Sequence, residues 1–252
     1  MKAIILAAGR GSRLKEITAT KPKCLIKLGN YSLLERQISA FKSIGIKEIG
    51  IVTGYRQEML EKFSSNRFYN SEWDKTNMVH SLCCASSWLE SSPCLISYSD
   101  IFFHISAPLS LMHSDEPMAI TYDVNWLTLW QKRFCDPLID SETFVINNRS
   151  ELLEIGERPE SLKHVQGQYM GLLRITPDSW KKIVTALRLM PVQERHNVSM
   201  TKLLQFLIKN YDYKINAIPF TKVWGEIDSA SDLEVYKSTY FKHFLNRKKN
   251  GN

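Results

Sequence analysis

The sequence is short of everything that would staple a chain or carry it through a membrane. Its five cysteines, Cys24, Cys83, Cys84, Cys94 and Cys135, are odd in number and show no C-x-x-C spacing. That argues against a disulfide framework and a zinc site, and for small buried hydrophobes in a reducing compartment. The six histidines show no metal-ligand spacing. No stretch approaches the roughly 18 apolar residues that a membrane helix needs, so membrane insertion is not expected. The apolar start MKAIILAAG meets Arg10 and Arg13 too soon for a signal peptide, and the expectation is a cytoplasmic protein. Repeats, low-complexity tracts and Pro/Gly-rich linkers are absent as well. Acidic side chains are outnumbered, 26 against 33 basic ones, for a net charge of +7. That surplus suits an anionic partner, which composition alone leaves open between nucleic acid, a membrane surface and a phosphorylated small molecule.

What is present is an alternation of strand and helix patterns. Lys2 to Ala8 is an apolar run of strand length. Ser32 to Ile44 has helical spacing through Leu33, Leu34, Ile38, Phe41 and Ile44, ended by Gly45. Glu48 to Thr53 reads as a buried strand, Gln57 to Phe63 as helical, Arg67 to Asn70 as a short extended piece, Met78 to Leu89 as a helix, and Cys94 to Ser99 as a strand. This interval predicts an α/β fold: a Rossmann-like, mixed but mostly parallel sheet with helices on both faces, binding its ligand at the strands' carboxyl ends. The second half is more mixed. Met118 to Tyr122, Gln168 to Ile175 and Tyr213 to Ile218 read as strands; Pro177 onward, Ser199 to Asn210 and Ser229 to Phe244 read as helices. The expected organisation is one domain over 1–252, with a first half at 1–115, a second half at 116–228 carrying a small insertion, and a C-terminal helix and basic tail at 229–252.

The segment Leu6-Ala7-Ala8-Gly9-Arg10-Gly11-Ser12-Arg13-Leu14 follows the first strand. Its glycines let backbone N–H groups face an anion. It is neither a dinucleotide fingerprint, whose third glycine would fall on Leu14, nor a P-loop, since no G-K-[ST] follows. Instead it carries Arg13 and is followed by Lys21-Pro22-Lys23. Taken with the Leu33-Leu34-Glu35 helix start and the strand ending Ile51-Val52-Thr53-Gly54-Tyr55, these residues resemble the nucleotidyltransferase family that makes sugar nucleotides and CDP-alcohols. Lys15-Glu16-Ile17-Thr18 stands where that family usually has Pro-Leu-Thr; Thr18 keeps the threonine. The resemblance implies that Leu6, Ala7 and Ala8 flank the nucleotide while Gly9, Gly11 and Ser12 cradle its phosphates. It implies that Arg13 holds the departing β- and γ-phosphates and Lys23 contacts phosphate oxygens during transfer. A fixed cation near the reacting phosphorus is the device such chemistry needs.

Asp100 ends a strand and Asp228 ends the phrase Val223-Trp224-Gly225-Glu226-Ile227. Each alone reads as a turn or cap residue. In the resembled family aspartates in both phrases bind metal, which implies Mg²⁺ held by Asp100 and Asp228, with Glu226 a weaker candidate. The phrase Asn70 through Asn77-Met78-Val79-His80-Ser81-Leu82 is similar to phosphocholine and phosphonate cytidylyltransferases. It implies CTP as the nucleotide, with Asn77 and Ser81, supported by Ala8 and Tyr55, beside the base and ribose.

For the acceptor, Tyr122, Trp126, Trp130, Tyr169 and Trp224 offer aromatic faces to an ammonium group. Asp123 and Asp136 could neutralise an amine, Lys132 and Arg133 a phosphate or phosphonate, and Gln168 lies on a Gly-rich strand resembling the acceptor-facing one. Core packing and solvated charge stay open as alternatives for these residues. The expected activity is Mg²⁺-dependent transfer of CMP from CTP to phosphocholine, 2-aminoethylphosphonate or a similar small phosphorylated or phosphonate acceptor, with pyrophosphate released. Rivals are a sugar-1-phosphate nucleotidyltransferase using UTP, GTP or dTTP, and a catalytically silent nucleotide-binding regulatory subunit. Nucleic acid is not expected as a partner, since no recognised motif accompanies the charge; homodimerisation stays open.

Overall fold

In a computed structural model, residues 1–237 are described. A seven-stranded sheet runs in the order Asn216–Phe220, Met118–Asp123, Gln168–Ile175, Cys94–Tyr98, Lys2–Ala7, Ile49–Thr53, Arg67–Tyr69. Every neighbouring pair is parallel except the two made by Gln168–Ile175, which runs against both Cys94–Tyr98 and Met118–Asp123. The central strands are apolar on both faces, as expected for parallel strands covered on each side. Two buried clusters result: one around Leu33, Phe41, Phe102 and Trp130, the other around Val79, Leu82, Trp180 and Leu204. The mostly parallel sheet read from the sequence is the observed fold.

Local chemistry accounts for the helix that follows the first loop. Ser32 caps Leu33–Ser43 by accepting from the Glu35 N–H, while the Glu35 carboxylate accepts from the Ser32 N–H at 2.8 Å. Those hydrogen bonds hold Glu35 below the usual carboxylate range. The predicted helix from Met78 to Leu89 is instead two helices, Met78–Cys83 and Ser86–Ser91, with the break at Cys84 and Ala85. The predicted strand from Tyr213 begins later, at Asn216. The last helix is described over Ala230–Tyr236; its predicted continuation to Phe244 and the basic tail lie outside the described residues.

Two short elements escaped the sequence reading and matter most. Ile101–Phe103 pairs antiparallel with Trp224–Glu226, in the register Ile101↔Glu226 and Phe103↔Trp224. The Ile227 N–H then donates to the Asp100 carbonyl at 3.0 Å. This small ladder, far from local in sequence, sets Asp100 beside Asp228 at the carboxyl edge of the main sheet. No helix among the described residues is long and apolar enough to cross a membrane.

Candidate active site

A cleft opens at the carboxyl end of the first strand. One wall carries Leu6, Ala8, Gly9, Gly11 and Lys23; the other carries Trp73, Thr76, Asn77, Met78 and Ser81; Tyr98, Ser99 and Asp100 close it. Eight of these thirteen residues were read from the sequence as nucleotide, metal or transfer residues: Leu6, Ala8, Gly9, Gly11, Lys23, Asn77, Ser81 and Asp100. Ala7 is buried behind the loop, and Ser12 and Arg13 are exposed on the turn after it.

Gly11 lets Lys23 reach the cleft. Its φ of +72° lies in the left-handed region, and a Cβ there would come within 2.8 Å of Lys23 Cδ and 2.9 Å of Lys23 Cβ. The loop is tied from behind by Thr18, whose hydroxyl donates to the Gly11 carbonyl at 2.9 Å. So Thr18 has a structural reason to be there despite the altered residues before it. Lys23 lies in a short 3₁₀ turn, Lys23–Leu25, and is 8% exposed. Its ammonium donates to Asp100 Oδ2 at 2.8 Å and to Asp228 Oδ1 at 2.7 Å, and Arg13 reaches the same Asp228 oxygen at 2.7 Å. Burial opposes the charged ammonium, but the two carboxylates outweigh it and hold the Lys23 pKa above its ordinary value.

Gln37 fixes the turn that presents Asp100. This buried side chain of the first helix donates to the carbonyls of Tyr98 at 2.8 Å and Ile101 at 2.7 Å, and accepts from the Ser97 hydroxyl at 2.9 Å. Both flanks of Ser99-Asp100 are thereby clamped. Asp100 Oδ1 is buried with no hydrogen-bond donor among the described residues. An unpartnered carboxylate oxygen on one of two aspartates that share the Lys23 ammonium is a donor set suited to a hard divalent cation, so these residues fit one. Asp140 was not anticipated; one oxygen each from Asp140, Glu226 and Asp228 lie within 4.8 Å of one another. Burial raises Asp140, and burial raises Glu226 to about 7 against the pull of Arg133.

Several acceptor candidates are packed or paired within the protein, the alternative that the sequence left open for them. The Arg133 guanidinium is fully buried and paired with Glu226 at 2.6 Å, Asp232 at 2.8 Å and Asp228 at 3.7 Å. It is a hub for acids and has no free charge for a phosphate. Of the rings read as a cage for an ammonium, Trp126 and Trp224 are buried against the Trp130 ring, and Arg133 lies 4.8 Å from that ring. Trp126 donates its indole N–H to the Val165 carbonyl, and Trp224 donates to Asp123 at 2.8 Å. Asp123 is thus buried and engaged, and burial raises its pKa. Tyr122 packs on Phe144. The glycine before Gln168 approaches Tyr122 closely, and an added Cβ there would collide with that ring. Tyr169 is buried with its ring against Tyr98 of the cleft, Gln168 is half-buried, and Lys132 is exposed.

Tyr55 supports the cleft walls. Its N–H donates to the Ala8 carbonyl, its hydroxyl donates to the Ala19 carbonyl at 2.6 Å, and its ring packs on Trp73 at 5.3 Å. Trp73 and Thr76 were missed. Both sit in the polar stretch between Asn70 and Asn77, where no periodicity marks which residue turns inward.

The MobA-like NTP transferase domain family matches residues 3–138. The chain belongs to that family. It is 35% identical to a CTP:phosphoglutamine cytidylyltransferase of Campylobacter jejuni, over 93% of this chain and 98% of that one. A choline-phosphate cytidylyltransferase of Streptococcus pneumoniae is 38% identical over 96 residues, 36% of this chain and 42% of that one. Among solved structures, the inositol-1-phosphate CTP transferase from T. maritima superposes with a TM-score of 0.78 at 19% identity, covering 99% of this chain and 96% of that one. The family makes this chain a nucleotidyltransferase, as its loop and lysine imply.

Proposed function

We propose that this nucleotidyltransferase is a Mg²⁺-dependent cytidylyltransferase that joins CMP from CTP to a small phosphorylated acceptor of the phosphoglutamine type and releases pyrophosphate. The observation that carries the transferase reading is Lys23, a buried ammonium bridging two strand-end aspartates on the wall of a glycine-loop cleft. The acceptor class rests on the relative that acts on phosphoglutamine. Its match over 93% of this chain takes in most of the second half, whereas the choline-phosphate relative matches over 36%.

In this reading the loop Gly9–Ser12 offers backbone N–H groups to the triphosphate, and Arg13 steadies the two phosphates that depart. Lys23 stays protonated through the neutral range, held so by Asp100 and Asp228, and neutralises charge gathering at the α-phosphate. A divalent cation held by Asp100 and Asp228 would supply further neutralisation of the phosphate oxygens when bound. An acceptor phosphate oxygen attacks the α-phosphorus in line as the bond to the β-phosphate oxygen breaks. The attacking oxygen is already ionised at neutral pH, so no general base is needed. Gln168, Tyr169 and Glu226, at the same edge of the sheet, are the acceptor-side residues in this reading.

Pyrophosphate release across CTP, UTP, GTP and dTTP, each with phosphoglutamine, phosphocholine, 2-aminoethylphosphonate and sugar-1-phosphates, tests the proposal. Turnover greatest with CTP and phosphoglutamine supports it. Preference for a sugar-1-phosphate with another nucleotide would replace it with the sugar-nucleotide reading, and silence with every pair would replace it with a regulatory one.

A further inference from the structure

The wall of the cleft opposite the glycine loop carries two hydroxyls, Ser81 and Thr76, and both are tied to one buried amide. Asn70 is 1% exposed and follows the edge strand Arg67–Tyr69. Its orientation is not ambiguous. The Glu72 backbone N–H, which can only donate, points at Asn70 Oδ1 at 3.0 Å. The Nδ2 group must therefore face the other way, and it does: it donates to Ser81 Oγ at 3.0 Å and to Thr76 Oγ1 at 3.1 Å.

Those two bonds dictate what each hydroxyl can offer the cleft. Thr76 spends its proton on the Glu72 carbonyl at 2.7 Å. With one lone pair taken by Asn70, it can only accept. Ser81 has a lone pair taken by Asn70 and no acceptor for its own proton among the described residues, so it can donate. The wall thus presents one donor and one acceptor, fixed by a side chain that itself never reaches the cleft.

Cytosine offers a ring nitrogen that accepts, N3, next to an exocyclic amine that donates. Uracil carries a proton on N3 beside a carbonyl, which reverses both. A donor at Ser81 and an acceptor at Thr76 match the first pattern and oppose the second. We infer that Asn70, by setting the hydrogen-bond polarity of Ser81 and Thr76, selects cytosine over uracil in this cleft. The inference rests on the cytidylyltransferase reading and adds a positioning residue that determines base choice. A polar site penalises a ligand that leaves its groups unpaired, and here Ser81 is buried and Thr76 half-buried.

The test is nucleotide affinity measured by titration calorimetry with CTP and with UTP in the presence of Mg²⁺, which needs no acceptor. Wild-type protein should bind CTP at least about 10-fold more tightly than UTP. Asn70→Asp keeps the shape and the Glu72 contact but presents an acceptor to Ser81, whose proton then turns inward and whose lone pairs face the base. The CTP-to-UTP preference should fall by about 10-fold or more, through weaker CTP binding with UTP binding held or improved. If both affinities fall together and the ratio is unchanged, Asn70 is merely structural and the inference is overturned. If N70D does not fold, Ser81→Ala carries the test: Asn70 keeps its bonds to Glu72 and Thr76, and the same loss of preference is expected, an unchanged ratio again overturning it. Wild-type protein that binds both nucleotides equally also overturns it. Wild-type protein that binds CTP but transfers CMP to no acceptor would instead sink the proposed activity and leave the base preference standing.

Discussion

Alanine at Gly11 and alanine at Gly9 should behave oppositely, although both glycines belong to one short motif. At Gly11 the φ of +72° costs a residue with a Cβ about 1–2 kcal/mol. The added carbon would also sit 2.8 Å from Lys23 Cδ and 2.9 Å from Lys23 Cβ, where contact between carbons is comfortable only at about 3.5–4.0 Å. Lys23 Cβ cannot swing away, because its backbone is held by the Leu25 N–H to Pro22 and Ile26 N–H to Lys23 bonds, both 3.0 Å. The loop cannot easily back off either, since Thr18 holds the Gly11 carbonyl. Something must therefore give by roughly half an ångström, and the ammonium moves off its two aspartates. Misplacement by about 1 Å costs on the order of 100-fold in such chemistry, so Gly11→Ala should lose at least about 10-fold in kcat/KM and about 2 kcal/mol of stability. At Gly9 an added Cβ meets nothing within 4 Å. Gly9→Ala should unfold in urea like wild type, within about 0.5 kcal/mol, with any effect confined to the KM for nucleotide. Urea unfolding and pyrophosphate release, run on both variants, check this. A Gly11→Ala protein with wild-type stability and turnover would refute the argument that this glycine makes room for Lys23.

Lys23→Met, which keeps the bulk and removes the charge, should lower kcat by about 100- to 1,000-fold with a much smaller change in KM, in a steady-state assay. Asp100→Asn should weaken the Mg²⁺ dependence of pyrophosphate release, seen as a rise of at least about 10-fold in the Mg²⁺ concentration giving half-maximal rate; an unchanged curve would remove Asp100 from the metal. Gln37→Leu strips partners from the Tyr98 and Ile101 carbonyls and the Ser97 hydroxyl, so it should cost about 1–3 kcal/mol in urea unfolding and lower kcat by loosening Asp100. Arg133→Met leaves Glu226 and Asp232 without their buried cation and should destabilise the fold by about 3–5 kcal/mol; a loss under about 1 kcal/mol would show that the hub is dispensable.

The sequence was most legible where chemistry is local. The glycine loop, the helix from Ser32 and the apolar strands announce themselves within windows of a few residues, and the structure has them where expected. Asp100 and Asp228 were paired only by resemblance. What joins them is the three-residue ladder Ile101–Phe103 with Trp224–Glu226, too short for any periodicity to mark. The aromatic residues were ambiguous for a related reason. Trp130 does lie against a cation, but it is Arg133 of the same chain, with Trp126 and Trp224 packed on the Trp130 ring, and nothing in the pattern of a single helix says whether a ring faces the core or a ligand. Asn70 and Gln37 were invisible as functional residues because each acts through what it holds. Each is a buried amide whose worth appears only when all its hydrogen bonds are counted.

Phosphorus-31 NMR of CTP, Mg²⁺ and phosphoglutamine incubated with the protein tests the central claim most directly. Transfer of CMP predicts free pyrophosphate together with a new pair of coupled diphosphate resonances from the CDP-linked product, both absent with Lys23→Met protein. CTP that stays intact with every acceptor offered, or that yields pyrophosphate and free CMP with no diphosphate adduct, would contradict it.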